Sequence, residues 1–256
     1  MIDRTSEILK GLDIDRAVGL EIGPLDKPLV ERDGSRQIFY ADYAPRKDLV
    51  QASLDDPNVD TAKIPEIDYI VAPLPQSLNR KFDYIVASHV GEHVPDLIGW
   101  IKTLLSWLND DGVLILALPD KRYTFDCYRV ESTAGQLIEA HLQKRMTPPA
   151  SSIYDGFSKA VRADAWYLWE GVEPPSAFEN IFTKEDALSL AKTALENGTY
   201  RDCHCWVFSA ESFQTVLNEV LDLGLIEFKW ARFSPPKKYT IEFYVAFTRK
   251  NGRLHA

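Results

Sequence analysis

The stretch Val18-Gly19-Leu20-Glu21-Ile22-Gly23-Pro24, with Ile38-Phe39-Tyr40-Ala41-Asp42 behind it, decides how the rest of the chain is read. The first apolar run closes on Glu21 and turns at Gly23, and the second closes on Asp42. In a parallel α/β sheet such a pair holds a nucleoside, because the glycine lets a ligand approach the backbone more closely than a β-carbon would allow. A carboxylate ending the second strand accepts hydrogen bonds from both hydroxyls of a ribose. Gly23 and Asp42 therefore read as a nucleoside site.

Only fourteen residues, Pro24 to Gln37, separate the two runs, and they include Pro24, Pro28 and the turn Asp33-Gly34. A parallel crossover ordinarily takes a dozen or more residues including its helix, so the first helix is expected to be a turn or two, or absent. Upstream, Thr5 to Leu12 is a short helix candidate. Downstream, Pro45 to Leu54 is a predicted helix with Pro45 at its first position and Asp55-Asp56-Pro57-Asn58 as its stop, and Ile67 to Val71 is a third strand.

The clearest α/β unit runs from strand Phe82 to Ala87 through helix Asp96 to Leu108 and turn Asn109-Asp110-Asp111-Gly112 to strand Val113 to Leu118. Leu97, Ile98, Ile101, Leu104, Leu105 and Leu108 recur at helical spacing behind the capping residue Asp96, so one helix face packs on the sheet. The two strands are continuous apolar runs, as expected of central parallel strands covered on both sides. From Pro119 to Tyr200 the pattern changes to helices and aromatic loops, with Trp166, Tyr167, Trp169 and a Pro174-Pro175 break. Val130 to Met146 and Lys184 to Asn197 are predicted helices, the second capped by Thr183 and ended by Gly198. Helix Glu211 to Leu223 and strands Ile226 to Phe233 and Tyr239 to Thr248 resume the sheet pattern. The expected organisation is one domain, with a core of 15–120 and 205–248 and an inserted helical lid, 121–204, enclosing an acceptor.

With 29 Lys+Arg against 38 Asp+Glu, the net charge of −9 argues against a nonspecific polyanion binder, so nucleic acid is not an expected partner. Val113 to Leu118, the longest apolar stretch, is too short for a membrane span, and the residues after Met1 lack a cationic start followed by an apolar run. The expectation is a soluble cytoplasmic protein. Cys127, Cys203 and Cys205 form no C-x-x-C pair and are odd in number, as expected of reduced thiols.

Three segments resemble the class I S-adenosylmethionine-dependent methyltransferases: Leu20-Glu21-Ile22-Gly23-Pro24, the strand-ending Asp42, and Phe82-Asp83-Tyr84-Ile85-Val86-Ala87-Ser88-His89-Val90-Gly91-Glu92-His93-Val94. The last looks like the type 11 and type 12 groups. A closer likeness, through Gly19 to Pro24, Ala87 to Val90, Pro119 to Asp126 and His204-x-Trp206-x-Phe208, is to a bacterial subgroup associated with surface glycan synthesis. The resemblance implies a Rossmann-like seven-stranded sheet, mostly parallel, with an antiparallel C-terminal strand. It implies S-adenosylmethionine as cofactor, with Glu21, Gly23 and the adjoining Pro24 at its methionine part, Asp42 and Tyr43 at its ribose, and Ser88 and His89 flanking the sulfonium. Two departures stand out: Leu25 and Lys27 occupy positions where the family's loop has glycines, and Tyr69 to Leu74 lacks the acid expected beside the adenine.

Other segments offer acceptor chemistry. Pro119-Asp120-Lys121-Arg122-Tyr123-Thr124-Phe125-Asp126 follows the fifth strand at the edge where ligands of open α/β folds bind, and Arg129 belongs with it. Lys121, Arg122, Asp126 and Arg129 suit a polyhydroxyl acceptor such as a saccharide, and a salt-bridged loop holding the lid is the alternative. His204, within Asp202-Cys203-His204-Cys205, is the candidate general base, with Asp120 second; a structural histidine is the alternative. Cys203 and Cys205 point away from His204 if the segment is a strand, which argues against zinc there. Glu92-His93 has too few oxygen neighbours in sequence for Mg²⁺, so no metal is expected and a Glu-His pair bracing the loop is preferred. The leading function is methylation of a small-molecule or glycan hydroxyl. A methyltransferase fold that only binds, and a nicotinamide-dependent oxidoreductase, are the alternatives.

Overall fold

The computed structural model describes residues 3–72, 74, 77–171 and 178–250; the Pro174-Pro175 break lies outside them. In chain order the elements are α1 (Arg4–Ile8), β1 (Val18–Ile22), β2 (Gln37–Asp42), α2 (Arg46–Ala52), β3 (Tyr69–Ile70), β4 (Phe82–Ser88), α3 (Leu97–Trp107), β5 (Leu108–Pro119), α4 (Ala134–Leu142), α5 (Ala150–Ser158), α6 (Ala165–Glu170), α7 (Lys184–Asn197), α8 (Ala210–Asp222), β6 (Lys229–Ser234) and β7 (Glu242–Thr248). The strands form one sheet in the order β3-β2-β1-β4-β5-β7-β6. Strands β1 to β5 pair in parallel, and β7 runs antiparallel to both β5 and β6. The fold expected by resemblance is the one observed.

Neighbouring strands were legible because β4 and the 114–119 part of β5 are almost continuously buried, and no alternation of polar residues is needed. Gly19 has a packing reason, since a β-carbon there would overlap the Tyr84 ring on β4. On one side of the sheet α3 contributes Leu97, Ile98, Ile101, Leu104 and Leu105, joined by Phe213 and Leu217 of α8. The other side is covered by Ile8, Leu9, Leu29 and Val30 against Tyr40, Tyr84, Val86 and Ile115. No helix lies between β1 and β2, so the irregular segment carrying Leu29 and Val30 does the covering.

The inserted region departs from a uniform lid. Ala134, Leu137 and Ala140 of α4 belong to the main core beside α3 and α8, whereas α5 and α7 pack on each other around Ile153, Ala191 and Ala194. Helix α4 is also shorter than its apolar spacing predicts, because Thr133 and Gln136 form a reciprocal cap that fixes its start. Pro45 precedes α2 in an extended conformation instead of occupying its first turn. Strand β3 is cut to two residues at the sheet's edge.

Candidate active site

Strand order reverses between β1 and β4, and the crevice at their carboxyl ends is where open α/β sheets bind ligands. Gly23 turns there with φ +68°, its N–H donating to Ala41 O at 2.9 Å, and a β-carbon on it would lie 2.7 Å from Val90 Cγ2. Leu25 keeps a left-handed conformation, φ +43°, at a position where a glycine was expected. The loop therefore holds its backbone path without the second glycine. Glu21 explains how: its buried carboxylate accepts hydrogen bonds from Leu29 N at 2.8 Å and Val30 N at 3.1 Å. Burial pushes the Glu21 carboxyl up to about 7 against those two bonds. Pro24 follows Gly23 in the same turn.

Asp42 ends β2 with 6% of its surface exposed. Among the described residues its side chain has one hydrogen bond, from Tyr43 N to Oδ1 at 2.7 Å. Burial raises this carboxyl to about 6, opposed only by that amide. The Tyr43 side chain itself is exposed.

At the end of β4, His89 has φ +54° and its Nε2 lies 2.9 Å from Glu242 Oε2 on β7. Arg4 of α1 meets the same carboxylate through two nitrogens, at 2.6 and 2.7 Å, and also donates to Ser88 Oγ at 2.7 Å. Burial alone would raise Glu242, but the His89 and Arg4 bonds bring it down to about 2. Arg4 and Glu242, 238 residues apart in sequence, thus meet at the crevice. Neither Arg4 nor Glu242 was singled out in the sequence; an acid in the otherwise apolar Glu242–Thr248 run was the available signal.

Beyond them lies the segment after β5. Asp126, buried, receives Arg129 Nη1 at 2.9 Å and lies 2.5 Å from His204 Nδ1, while Arg129 Nη2 donates to His204 O at 3.0 Å. Burial would raise Asp126, yet the His204 and Arg129 contacts hold it below the usual aspartate range. Phe125 lies over the same imidazole, ring centroids 4.8 Å apart, and is 41% exposed. The chain around His204 is irregular, not a strand, and Cys203 and Cys205 are buried on either side of it.

Asp120 is not placed for catalysis. It is fully buried, with its oxygens taken by Arg122 and by Ala210 N at the start of α8. Arg122 is divided between Asp120 and Glu211, and Lys121 donates to Cys127 O at 2.9 Å. Of the expected acceptor residues, Arg122, Asp126 and Arg129 are engaged in ion pairs and Lys121 in a backbone hydrogen bond, because carboxylates buried there need cations beside them. The Glu92 backbone oxygen braces the loop by accepting from Cys205 N and Trp206 N, and its side chain lies against His89 and His93, at 3.5 and 4.0 Å, with no hydrogen-bond partner for either oxygen among the described residues. The sequence expectation of no metal considered Glu92-His93 and His204 separately, and the fold brings them together.

A family model described as a methyltransferase domain matches residues 11–220. The chain belongs to the methyltransferase domain family. None of the curated proteins matches this methyltransferase. Among solved structures it is similar to a putative Zn-dependent alcohol dehydrogenase from Rhodobacter sphaeroides, at 14% identity and TM-score 0.48, over 96% of this chain and 88% of that one. It is similar also to the plantazolicin methyltransferase in complex with SAH, at 9% identity and TM-score 0.44, over 97% and 80%. Magnesium protoporphyrin IX methyltransferase from Synechocystis PCC 6803 with bound SAH follows at 12% and 0.40, over 96% and 80%. Of the residues expected in the methyltransferase site, Gly23, Asp42, Ser88, His89 and His204 lie at or beside the carboxyl edge, and Glu21 supports it from below. Among the described residues no helix is long and apolar enough to cross a membrane.

Proposed function

We propose that this methyltransferase takes S-adenosylmethionine as donor and methylates a hydroxyl of a small polar acceptor, saccharides being the favoured class. The observation that carries the donor assignment is Asp42: a carboxylate almost fully buried at the carboxyl end of β2, with a single amide donor among the described residues. Two ribose hydroxyls would supply the missing donors. Gly23 offers the methionine part a close approach, Glu21 holds the loop through Leu29 and Val30, and Ser88 and His89 flank the methyl end under Arg4. The segment between β1 and β2 presents no helix N-terminus to a pyrophosphate, which counts against the nicotinamide alternative.

Transfer is an in-line displacement: an acceptor oxygen forms the bond to the methyl carbon, the carbon–sulfur pair leaves with sulfur, and the hydroxyl proton must go elsewhere. His204 is the proposed proton acceptor, with Asp126 holding its Nδ1 and Arg129 holding Asp126. The half-exposed Phe125 ring beside it supplies a face on which a sugar ring stacks. Calorimetric titration with S-adenosylhomocysteine tests the donor, and mass analysis after incubation with S-adenosylmethionine and a panel of sugars and sugar nucleotides tests the acceptor. Absence of S-adenosylhomocysteine binding would defeat the whole reading; binding with methylation of some other class of acceptor would defeat only its second half.

A further inference from the structure

We propose that Glu92, His93 and His204 form a site for one transition-metal dication of the zinc or ferrous kind at the acceptor end of the crevice. One donor atom from each lies within 4.8 Å of the others. Glu92 is 2% exposed, and among the described residues neither of its carboxylate oxygens has a hydrogen-bond partner. A carboxylate buried without donors is costly unless it is protonated or matched by a cation. Two imidazoles lie beside Oε1, His89 Nδ1 at 3.5 Å and His93 Nε2 at 4.0 Å.

The two histidines are prepared as ligands usually are. His93 Nδ1 lies 3.0 Å from Asp202 Oδ1, and His204 Nδ1 lies 2.5 Å from Asp126 Oδ2. A carboxylate on one ring nitrogen fixes the proton there, leaving the other nitrogen's lone pair for a metal. Each carboxylate is itself held, Asp126 by Arg129 at 2.9 Å and Asp202 by the Tyr200 hydroxyl at 3.0 Å. Cys205 N and Trp206 N on Glu92 O, at 2.7 and 3.2 Å, lock the loop after β4 to the segment carrying His204. The two sources of ligands are therefore in fixed register.

Two imidazoles and one carboxylate favour Zn²⁺, Fe²⁺, Co²⁺ or Ni²⁺ over Mg²⁺ and Ca²⁺, which require mostly oxygen. Tetrahedral bonds of about 2.0–2.2 Å set ligand atoms about 3.3–3.6 Å apart, so the most widely spaced donors close by roughly 1.2–1.5 Å on binding. Three protein ligands leave a position open. The thiols stay out of the set: Cys205 Sγ donates to His93 O at 3.4 Å. The site's part in turnover rests on the methyl-transfer reading above. An acceptor hydroxyl bound at the open position releases its proton to solvent, and its oxygen then takes the methyl carbon as the carbon–sulfur pair departs with sulfur. In that state His204 is a ligand, and the cation replaces it as the means of deprotonation.

The test takes the full chain, strips it with a chelator and titrates it with Zn²⁺ and with Co²⁺, reading metal content and visible absorption. One ion per chain is expected, with the d–d bands of a low-coordinate Co²⁺ site. Glu92→Gln and His93→Gln should each weaken binding at least tenfold, and Asp202→Asn by roughly tenfold or more. Circular dichroism of the same samples reports folding and S-adenosylhomocysteine titration reports the cofactor reading; if Glu92→Gln does not fold, His93→Gln on the more exposed ring carries the comparison. Wild-type protein holding no more ion than His93→Gln, or affinities unmoved by the substitutions, overturns the site. Metal binding without S-adenosylhomocysteine binding supports the site and overturns the cofactor reading; the converse overturns the site alone.

Discussion

Replacing Asp42 by Asn should strengthen the fold and cripple cofactor binding together. Burial raises this carboxyl from 3.8 to about 6. At about 1.36 kcal/mol per unit, its ionised form destabilises the unliganded protein by roughly 3 kcal/mol at neutral pH and above. The native state holds the proton more tightly than the unfolded chain, so wild-type stability falls as pH rises from about 4 to about 6 and the cost is complete above that. Asn keeps an oxygen for Tyr43 N and removes the charge. At about pH 8 the variant should melt higher by several degrees, given roughly 2–4 °C per kcal/mol for a chain of this size. Binding moves the other way: two hydrogen bonds from ribose hydroxyls to a carboxylate, each worth about 1.5–3 kcal/mol, imply a loss of S-adenosylhomocysteine affinity of about 10² or more. Because those donors favour the ionised form, wild-type affinity should climb with pH up to about 6 and then level, a slope absent from the variant. Glu21, raised to about 7, titrates in both proteins, so the difference between the two pH series isolates Asp42. Calorimetry and thermal melts across pH provide the measurements. An affinity within about threefold of wild type, or a lower melting temperature at about pH 8, would refute the reasoning.

His204→Gln should retain S-adenosylhomocysteine affinity while kcat drops by about 10²–10⁴, measured by product formation; unchanged turnover would remove His204 from the chemistry. Gly23→Ala should lose about 1–2 kcal/mol from its left-handed conformation alone, and adding Val90→Ala should recover only the steric part, as read in denaturant melts. Arg4→Met strips a two-point cation from Glu242 and should cost about 1–3 kcal/mol. Glu242 is depressed to about 2, so its stabilisation is present above about 4.5 and lost as pH falls towards 2; the Arg4 variant should therefore unfold at higher pH on acid titration.

The nucleotide-binding half of the fold was legible because its signals are local. Apolar runs ending in Glu21-x-Gly23 and Asp42, and the α3 stripe behind Asp96, require only neighbours in sequence, and each element lies within a residue or two of its expected bounds. The site's polar wiring was less legible because it joins distant segments. His204 was found as a lone histidine, but nothing near it in sequence announces Asp126, and Arg4 and Glu242 meet across almost the whole chain. The charged run after β5 misled in the opposite direction: Asp120 and Arg122 looked like ligand groups because burying them is costly, and the cost is met by their own pairing and by Ala210 N. Glu92 was read with His93 as a brace because the loop offers too few acids for Mg²⁺, and only the fold shows that, among the described residues, its carboxylate oxygens have no hydrogen-bond partner.

The match to the methyltransferase family model covers residues 11–220, yet Arg4 and Glu242, which together hold Ser88 and His89, both fall outside it. So do β6 and β7. A fragment trimmed to the recognisable stretch would leave β5 with a bare edge, inviting association between chains, and would strip His89 of its carboxylate. The border of the family match is therefore not the border of the folding unit, and expression designs for this chain should include both flanks.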